Sequence, residues 1–454
     1  MRLSDTGLGH LPPEVTRFAY DRAAQKTGIV HFGIGAFHRA HQAWYTDQAM
    51  DAGERDWAIS GASLRSASVA EQLAPQDGLY TLTERAEGNS TRVIGAVREV
   101  LVAGRDRETV IARIAATECR IVSFTVTEKG YARAADGSLD LGLAEASFYP
   151  LLSEALARRM ADGLPGVTLL CCDNLPDNGR TLARLLGQWL DARAPDLSGW
   201  VERECACPGT MIDRIVPATT AADLDALEAR LGLRDEGAVF TEPFSQWVIE
   251  DRFAGPRPAW DTVGAELVSD VAPYETAKLR MLNGAHSALA YCGLERGHEY
   301  VHEAVADPAL GALVDRLMRR EAATSFAAAP GQDLAAYADA LLGRFANPAL
   351  QHRLMQIAMD GSQKIPQRWL ETLAAHQRRG ERCPAILEAL AAWLRHVRGD
   401  VRPVDDPMAE TLAGMWAGAG AGGIAAALFG PQGLFARTWQ ADDDALAELT
   451  AKLA

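Results

Sequence analysis

A short apolar run that leads directly into a glycine-rich turn constrains the fold of this chain more than any other feature. Residues 28–32 form the run, Gly33-Ile34-Gly35 form the turn, and a helical pattern continues to Met50. Strand, glycine turn and helix in this order are typical of a dinucleotide site, in which the first glycine makes the turn and the second lets the backbone approach a pyrophosphate. His38 stands where a third glycine is expected, so the pattern is incomplete.

Beyond this turn, the N-terminal part alternates strand-like and helix-like segments. We predict strands at residues 57–64, 120–127 and 167–172, and helices at residues 106–115 and 141–161. Such alternation predicts an α/β, Rossmann-like doubly wound domain with a parallel sheet between two helical layers. Because ligands gather at the carboxyl ends of parallel strands, the polar residues 127–131 and 173–179 are expected near the site.

The C-terminal part lacks strand signals from about residue 274 onward. Helices are predicted at residues 304–329, 333–345, 351–363 and 385–397. We therefore expect two domains, a dinucleotide-binding domain over residues 1–272 and a mostly α-helical substrate domain over residues 273–454. Residues 411–430 are rich in glycine and alanine, which favours close helix packing over a membrane span.

Charge and cysteine content narrow the possible classes. The 454 residues carry a net charge of -15, which argues against nucleic acid or an anionic membrane surface as a partner. Seven cysteines without paired CxxC units are expected to be reduced thiols rather than zinc ligands or disulfides. Since residues 1–13 show no signal-peptide pattern, a cytoplasmic protein is expected. The sequence does not indicate an oligomeric state.

The segment from Lys278 to His286 combines an amine, a carboxamide and an imidazole on one apolar stretch. On an α-helix of about 100° per residue, with Lys278 at zero, Glu275 lies near ~60°, His286 near ~80° and Asn283 near ~140°. A shared face of this kind suits proton abstraction from an alcohol, and burial would lower the pKa of the lysine toward neutrality. A solvated polar stripe is the structural alternative.

Six ordered motifs resemble the polyol-specific long-chain dehydrogenases, also called the mannitol dehydrogenase family. The resemblance spans roughly residues 28–370. The motifs are Gly33-x-Gly35-x-Phe37-x-Arg39-x-His41, Thr127-Glu128-Lys129-Gly130-Tyr131, Cys172-Asp173-Asn174-Leu175-Pro176, Met211-Ile212-Asp213-Arg214-Ile215-x-Pro217, Glu242-Pro243-Phe244-x-Gln246-Trp247-Val248-Ile249-Glu250-Asp251 and Lys278-x4-Asn283-x2-His286.

The resemblance implies a role for each catalytic candidate. It makes Lys278 the base, Asn174 and Asn283 the donors to the substrate oxygen, and His286 a substrate-orienting imidazole. It places the acids Asp213 and Glu275 beside the lysine, with the glutamate controlling proton exchange. It also implies NAD as cofactor and no catalytic metal, because the lysine and two carboxamides supply the proton acceptor and the donors to an alkoxide.

The cofactor-binding candidates follow from the glycine turn and from the family motifs. They are Gly33, Gly35, Ala36, Phe37, Arg39, Arg65, Thr127 and Glu128. Residues 63–68, after the second predicted strand, contain no acid to bind a ribose 2′-hydroxyl. Arg65 among serines instead suits a 2′-phosphate, so NADP is possible beside NAD, although Arg65 alternatively faces solvent.

The substrate candidates are three cations, Lys129, Lys364 and Arg368, which are suited to a carboxylate. Members of the family interconvert polyols with ketoses, or aldonates with ketouronates. The best interpretation is D-mannonate/D-fructuronate, with D-mannitol/D-fructose as the alternative and an ion pair as the structural role for Lys129. A non-catalytic protein that senses nicotinamide is an alternative of another class.

Overall fold

The computed structural model describes all residues from Met1 to Ala454. The chain divides into two compact units, Met1–Val271 and Ala272–Ala454. The expected boundary between residues 272 and 273 differs from this division by one residue.

Unit 1 contains all eleven strands, which form three sheets. A five-stranded sheet has the order β5-β2-β1-β6-β7, and two three-stranded sheets have the orders β11-β10-β8 and β4-β3-β9. The strands are β1 Thr27–Phe32, β2 Ala58–Ser63, β3 Tyr80–Glu84, β4 Ser90–Ile94, β5 Val97–Val102, β6 Ile121–Phe124, β7 Thr168–Cys171, β8 Thr210–Asp213, β9 Val239–Thr241, β10 Gln246–Glu250 and β11 Glu266–Val268.

The five-stranded sheet is parallel throughout and confirms the predicted Rossmann-like architecture. β1 lies at its centre, with Val30 paired to Ser60 of β2 and to Val122 of β6. β6 and β7 are fully buried, as continuous apolar runs between two helical layers should be. Parallel pairing brings the carboxyl ends of β1, β2, β6 and β7 to one edge, where the predicted loops lie.

Nine α-helices complete unit 1. They are α1 Ala36–Ala40, α2 Gln42–Asp51, α3 Ser68–Leu73, α4 Arg107–Ala115, α5 Leu141–Ala144, α6 Tyr149–Ala161, α7 Asn178–Arg193, α8 Pro195–Glu204 and α9 Ala221–Leu231. The single helix predicted over residues 141–161 is wrong. The chain breaks between α5 and α6, and Pro150 stands in the first turn of α6, where its missing N–H costs nothing.

Unit 2 is helical, as predicted, and contains eleven α-helices. They are α10 Ala272–Ala277, α11 Gly284–Glu295, α12 Val301–Ala306, α13 Pro308–Arg316, α14 Leu334–Phe345, α15 Leu354–Ile357, α16 Gly361–Ile365, α17 Glu371–Gln377, α18 Pro384–His396, α19 Ala409–Phe429 and α20 Asp443–Leu453. Every residue of α11 from Gly284 to Leu294 is buried, so this helix is the centre of the core.

Two long helices predicted in unit 2 are wrong, because each is interrupted in the structure. The segment predicted at residues 304–329 is interrupted by Asp307, whose carboxylate accepts hydrogen bonds from Ala309 and Leu310 and starts α13. The segment at residues 351–363 is split by Asp360, which has a left-handed backbone. α19 is long and apolar enough to cross a membrane, but the backbone of Gly420 within it is not helical, and core helices of soluble proteins share this length and composition.

Candidate active site

The glycine turn after β1 has the geometry that a dinucleotide requires. Gly33 has a φ of 95°, and a Cβ there would lie 2.0 Å from the carbonyl oxygen of Thr125, so no other residue fits. Gly35 is exposed, and the nearest atom to a Cβ would be the carbonyl oxygen of Gly33 at 3.9 Å. The first glycine is therefore required by the fold, whereas the second leaves space for a ligand. These two features fit a bound pyrophosphate.

The residues that follow the turn divide into accessible and buried groups. Ala36 and Phe37 are partly exposed at the start of α1. Arg39 is buried and donates hydrogen bonds to the carbonyl oxygens of Gly35 and Gly237. The guanidinium thus supports the turn from the protein interior, so any contribution of Arg39 to cofactor binding is indirect.

The loop after β6 is held by Asp173, whose role the sequence analysis did not identify. Its carboxylate accepts hydrogen bonds from the N–H groups of Val126 and Thr127 at 2.9 and 3.1 Å, and from the hydroxyl of Tyr131 at 2.8 Å. Burial raises the pKa of Asp173, which these donors oppose. Thr127 has a φ of 64°, uncommon for a β-branched residue. Asp173 thereby fixes the loop that presents Thr127 and Glu128 to solvent.

A second unassigned residue, Asn178, fixes the loop that carries Asn174. The amide of Asn178 donates to the carbonyl oxygens of Asp173 and Thr210, and its own oxygen accepts the N–H of Thr210 at 2.9 Å. These bonds tie the exposed Asn174 loop to the start of β8, the strand that ends at the buried Asp213. The position of Asn178 directly after the motif at residues 172–176 is the sequence signal that could have indicated this role.

Arg65 lies in the exposed loop after β2, as the sequence indicated. The loop is shaped by serines, with the Ser63 hydroxyl donating to the carbonyl oxygen of Ser66 at 2.5 Å. No acidic residue occurs between Ser63 and Ser68, and Arg65 forms no ion pair. The guanidinium is therefore available to an anion at the carboxyl edge of the sheet.

Several motif residues have structural rather than chemical roles. The side chain of Arg214 is fully buried, forms an ion pair with Glu84 at 2.6 Å, and donates to the carbonyl oxygen of Ala40. A carboxylate oxygen of Glu242 accepts the N–H of Ile215 at 2.7 Å. These bonds hold the chain immediately after Asp213.

In unit 2, Lys278 begins a π-helical segment, Lys278–Asn283, between α10 and α11. The expected α-helix is therefore wrong at this point. Bonding from residue i to i+5 widens the helix and reduces the rotation per residue, which brings Asn283 and His286 closer to the azimuth of Lys278 than the α-helical values. Glu275 lies in α10, one turn before the lysine, and Glu275, Lys278 and Asn283 are all partly exposed.

His286 is buried and packs against the rings of Phe345 and His352, with centroid distances of 4.7 and 5.3 Å. Burial holds the pKa of His286 well below its usual range, and the electrostatic effect of the nearby His352, Arg344 and Arg368 lowers this pKa further. The imidazole is therefore neutral at pH 7 and able both to donate and to accept a hydrogen bond.

Arg368 lies close to Asn283, on the π-helical segment Pro366–Leu370. Its guanidinium donates to the carbonyl oxygen of Asn283 at 3.3 Å and to the hydroxyl of Ser287 at 2.7 Å. Burial lowers the pKa of Arg368 to about 10, so it stays charged at pH 7. Both partners are neutral groups, and no carboxylate balances this charge.

The other two substrate candidates are placed differently. Lys364 donates to the carbonyl oxygen of Met359 at 2.6 Å and lies 3.8 Å from a carboxylate oxygen of Asp360. The charge of Lys364 is thus already partly compensated by these two oxygens. Lys129 is an exposed residue of unit 1 on the short 3-10 turn Glu128–Tyr131, and it forms no ion pair. Arg368 is the candidate whose surroundings best suit an anion.

Neither a metal centre nor a disulfide is formed by the side chains. No group of three or more His, Cys, Asp or Glu side chains is placed to hold a metal ion. All seven cysteines are free, and five of them are buried. Burial raises the pKa of Cys171 and Cys119 to about 12, so these thiols are protonated at neutral pH.

Two family models together match almost the whole chain. Residues 27–262 match the mannitol dehydrogenase Rossmann domain, and residues 270–452 match the mannitol dehydrogenase C-terminal domain.

Similar proteins differ in the substrate that they are named for. A D-mannonate oxidoreductase of Escherichia coli is 39% identical over 96% of this chain and 94% of its own length. A mannitol 2-dehydrogenase of Aspergillus terreus is 38% identical over 95% of this chain and 91% of its own length. The solved ternary complex of Pseudomonas fluorescens mannitol 2-dehydrogenase with NAD and D-mannitol is 34% identical, with a TM-score of 0.82 over 100% of this chain and 96% of that one.

Proposed function

Because this chain belongs to the mannitol dehydrogenase family, and is thus an NAD-dependent oxidoreductase acting on CH–OH groups, we propose that it interconverts D-mannonate and D-fructuronate. The identities of 39% and 38% to relatives named for mannonate and for mannitol do not separate these substrates. The observation that carries the proposal is the charge of Arg368, whose hydrogen-bond partners are both neutral groups.

Proton transfer is assigned to Lys278. Oxidation of a secondary alcohol requires removal of the hydroxyl proton, and an amine is a suitable acceptor once its pKa approaches the working pH. Glu275, one turn earlier, is the proposed route for exchange of that proton with solvent. The glycine turn and the loop after β6 would hold NAD, which would supply hydride exchange with the substrate carbon.

Asn174 and Asn283 are proposed as donors to the substrate oxygen, which carries negative charge as the proton leaves. Carboxamide N–H groups fixed by the fold stabilise such charge without reorganisation. Arg368 donates a hydrogen bond to the backbone carbonyl oxygen of Asn283, so the backbone of Asn283 is held without the use of the Asn283 side chain. The neutral His286 is proposed to orient a neighbouring hydroxyl.

Arg368 and Ser287 are proposed to receive the carboxylate of fructuronate. A guanidinium that is partly removed from water and hydrogen-bonded to neutral groups gains charge-assisted hydrogen bonds from an anion, each worth about 1.5–3 kcal/mol. Lys129 and Lys364 remain further candidates. Fructose offers only a hydroxyl at this position, so fructuronate should be preferred by about ten- to a hundredfold.

The deciding experiment compares kcat/KM for reduction of fructuronate and fructose by the wild type, Arg368→Met and Arg368→Lys. We expect Arg368→Met to lower the efficiency with fructuronate selectively, and Arg368→Lys to retain part of the preference. Arg382→Ala is the control, since Arg382 is an exposed arginine of unit 2 that pairs with Asp444 and Glu448. Equal wild-type efficiencies with the two substrates would contradict the proposal.

The second candidate is D-mannitol 2-dehydrogenase. It is favoured by the relatives of that name and by the engagement of Lys364 with Met359 and Asp360, which leaves fewer cations for a carboxylate. Faster oxidation of mannitol than of mannonate would establish it. The family assignment sets aside the non-catalytic sensor. We further propose a cytoplasmic location with no nucleic-acid partner, in keeping with the net charge of -15.

A further inference from the structure

A chain of buried polar side chains lies beneath the glycine turn. The His31 ring, on β1, has Nδ1 2.8 Å from the hydroxyl oxygen of Ser123 and Nε2 2.8 Å from that of Thr125. The Ser123 hydroxyl also lies 2.8 Å from Oε1 of the Gln42 amide, and the Thr125 hydroxyl lies 2.6 Å from the carbonyl oxygen of Gly33. His31, Ser123 and Gln42 are at most 1% exposed.

Counting protons sets the direction of these bonds. The carbonyl oxygen of Gly33 can only accept, so the single hydroxyl proton of Thr125 must go to it. Thr125 must then accept from His31, which places the proton of that ring on Nε2. Because burial lowers the pKa of His31 to about 3, the ring is neutral and its Nδ1 is an acceptor. Ser123 must therefore donate its only proton to His31.

The number of available protons also decides which end of the Gln42 side-chain amide faces Ser123. Once Ser123 has donated to His31, it can only accept from Gln42, so the amide must turn its nitrogen toward Ser123. The two ends of a carboxamide are almost the same size, so either orientation fits the space. The side-chain nitrogen of Gln42 has no hydrogen-bond partner in its present position, so turning the amide breaks no bond of that nitrogen. Ser123, His31 and Thr125 then each donate one of these bonds and accept one.

His38 completes the arrangement at the position of the missing third glycine. Its ring stacks on that of His31 with a centroid distance of 3.4 Å and an interplanar angle of 17°, and both residues are fully buried. A third glycine normally permits close contact between the helix and the strand. Here two flat imidazoles in parallel stacking provide that contact.

We infer that Gln42, Ser123, His31 and Thr125 form a one-directional hydrogen-bond relay, with His38 stacked on it, that ends on the Gly33 carbonyl and positions the glycine turn for the cofactor. This inference rests on the proposed binding of the nicotinamide dinucleotide at that turn. The relay consists of positioning residues, and none of them contacts a reacting atom. Aligned hydrogen bonds in a buried environment strengthen one another, so loss of one member loosens the turn.

The first test is the tautomer of His31 in the cofactor-free protein. We expect nitrogen-15 NMR of histidine-labelled protein, with His31 assigned by comparison with His31→Gln, to show a neutral ring protonated on Nε2. Thr125→Val should change the Nε2 shift because its proton loses its acceptor. A ring protonated on Nδ1 would overturn the relay, and this result is independent of the enzyme's substrate and of cofactor binding.

The second test measures NADH affinity by fluorescence titration together with kcat at saturating cofactor. We expect Thr125→Val to weaken NADH binding about tenfold with kcat unchanged, and Thr125→Ser, which keeps the hydroxyl, to bind normally. Thr83→Val is the control, because Thr83 is a buried threonine whose hydroxyl pairs with Thr91 in another sheet.

The outcomes separate this inference from the proposed function. Wild-type affinity in Thr125→Val would refute the positioning role while leaving the enzyme assignment intact. Failure of the wild type to bind NADH or NADPH would refute the cofactor assignment, and the NMR result would still decide whether the relay exists. If Thr125→Val does not fold, a weakened affinity in Thr125→Ser, which retains the hydroxyl, would contradict the inference.

Discussion

Burial acts differently on two neighbouring residues of unit 2, His286 and Arg368. It pushes the pKa of His286 well below its usual range, so the imidazole loses its charge at pH 7. It lowers the pKa of Arg368 only to about 10, so the guanidinium keeps its charge. This part of the protein therefore presents one fixed cation beside a neutral donor and acceptor, a combination suited to a substrate rich in hydroxyls with one anionic end.

Replacement of Lys278 by alanine should abolish turnover and leave cofactor binding near normal, because the lysine acts on the substrate proton. We expect a loss of about 10²–10⁴ in kcat. Single-turnover kinetics and NADH titration measure the two quantities. Lys26→Ala is the control, since Lys26 is an exposed lysine that pairs with Glu118. Near-wild-type turnover in Lys278→Ala would remove the lysine from the mechanism.

Arg65 should determine how the enzyme distinguishes NAD from NADP. The loop after β2 presents this exposed cation and no acid, so we expect measurable turnover with NADP(H) beside NAD(H). Arg65→Asp introduces the missing acid and should shift the ratio of kcat/KM values toward NAD. The prediction fails if the wild type shows no turnover with NADP(H).

Among the elements, π-helical segments carry three of the candidate site residues, Lys278, Asn283 and Arg368. Pro366 begins the second segment, and its missing N–H removes an α-helical bond there. Near the first segment, the side chains of Arg368 and Trp369 donate to the carbonyl oxygens of Asn283 and Gly284. Side-chain donors of this kind disturb the regular ladder of a helix, and π-helical turns are frequent at functional sites.

The two glycines of the turn should respond differently to alanine. In Gly33→Ala, the new Cβ would collide with the carbonyl oxygen of Thr125 at a φ of 95°, so we expect loss of soluble folded protein. In Gly35→Ala, the Cβ has space within the protein but occupies the approach of the pyrophosphate. This variant should have a wild-type thermal unfolding midpoint and weakened NADH binding. Normal NADH affinity in Gly35→Ala would place the cofactor elsewhere.

At the scale of the whole molecule, each of the two units encloses neutral histidines, His31 and His38 in unit 1 and His286 in unit 2. Their pKa values lie below the ordinary value of about 6.5, so on acidification below that pH the unfolded chain binds protons that the folded chain does not. Each such group therefore lowers the free energy of unfolding as pH falls.

The contribution of one such histidine can be isolated with His38→Phe. Buried carboxyls with raised pKa values, such as Asp235, act in the opposite direction, so the test is the difference between variant and wild type. We expect the stability of His38→Phe relative to wild type to increase between pH 7 and pH 5.5, by up to about 1.4 kcal/mol per pH unit. Urea unfolding at several pH values measures it, and a difference independent of pH would contradict the argument.

A second prediction for the whole enzyme concerns metal ions. Lys278 supplies the proton acceptor that a metal would otherwise activate, and no three ligand side chains are grouped anywhere in the chain. Activity should therefore survive dialysis against a chelator. Loss of activity on chelation, followed by recovery with added zinc, would show that a metal takes part.

The sequence determined the fold class, the succession of an α/β unit and a helical unit, and the family, because these depend on patterns that are local along the chain. The periodicity of β1, β6 and β7 and the glycine turn are read from consecutive residues, and Lys278, Asn283 and His286 lie within nine residues. The six strands of the two smaller sheets, β3, β4 and β8 to β11, were not predicted, because each is only three to five residues long and each sheet joins segments that are distant along the chain.

Tertiary structure decided which polar groups are buried and which partners they meet. Asp173 and Asn178 hold functional loops through bonds to residues up to 47 positions away, and His31 meets Thr125 across 94 positions. Arg39 and Arg368 are both candidate binding residues from the sequence, yet one supports backbone carbonyls in the interior and the other keeps an unbalanced charge. Solvation and hydrogen bonding depend on neighbours in space, so the spacing of residues along the chain does not specify them.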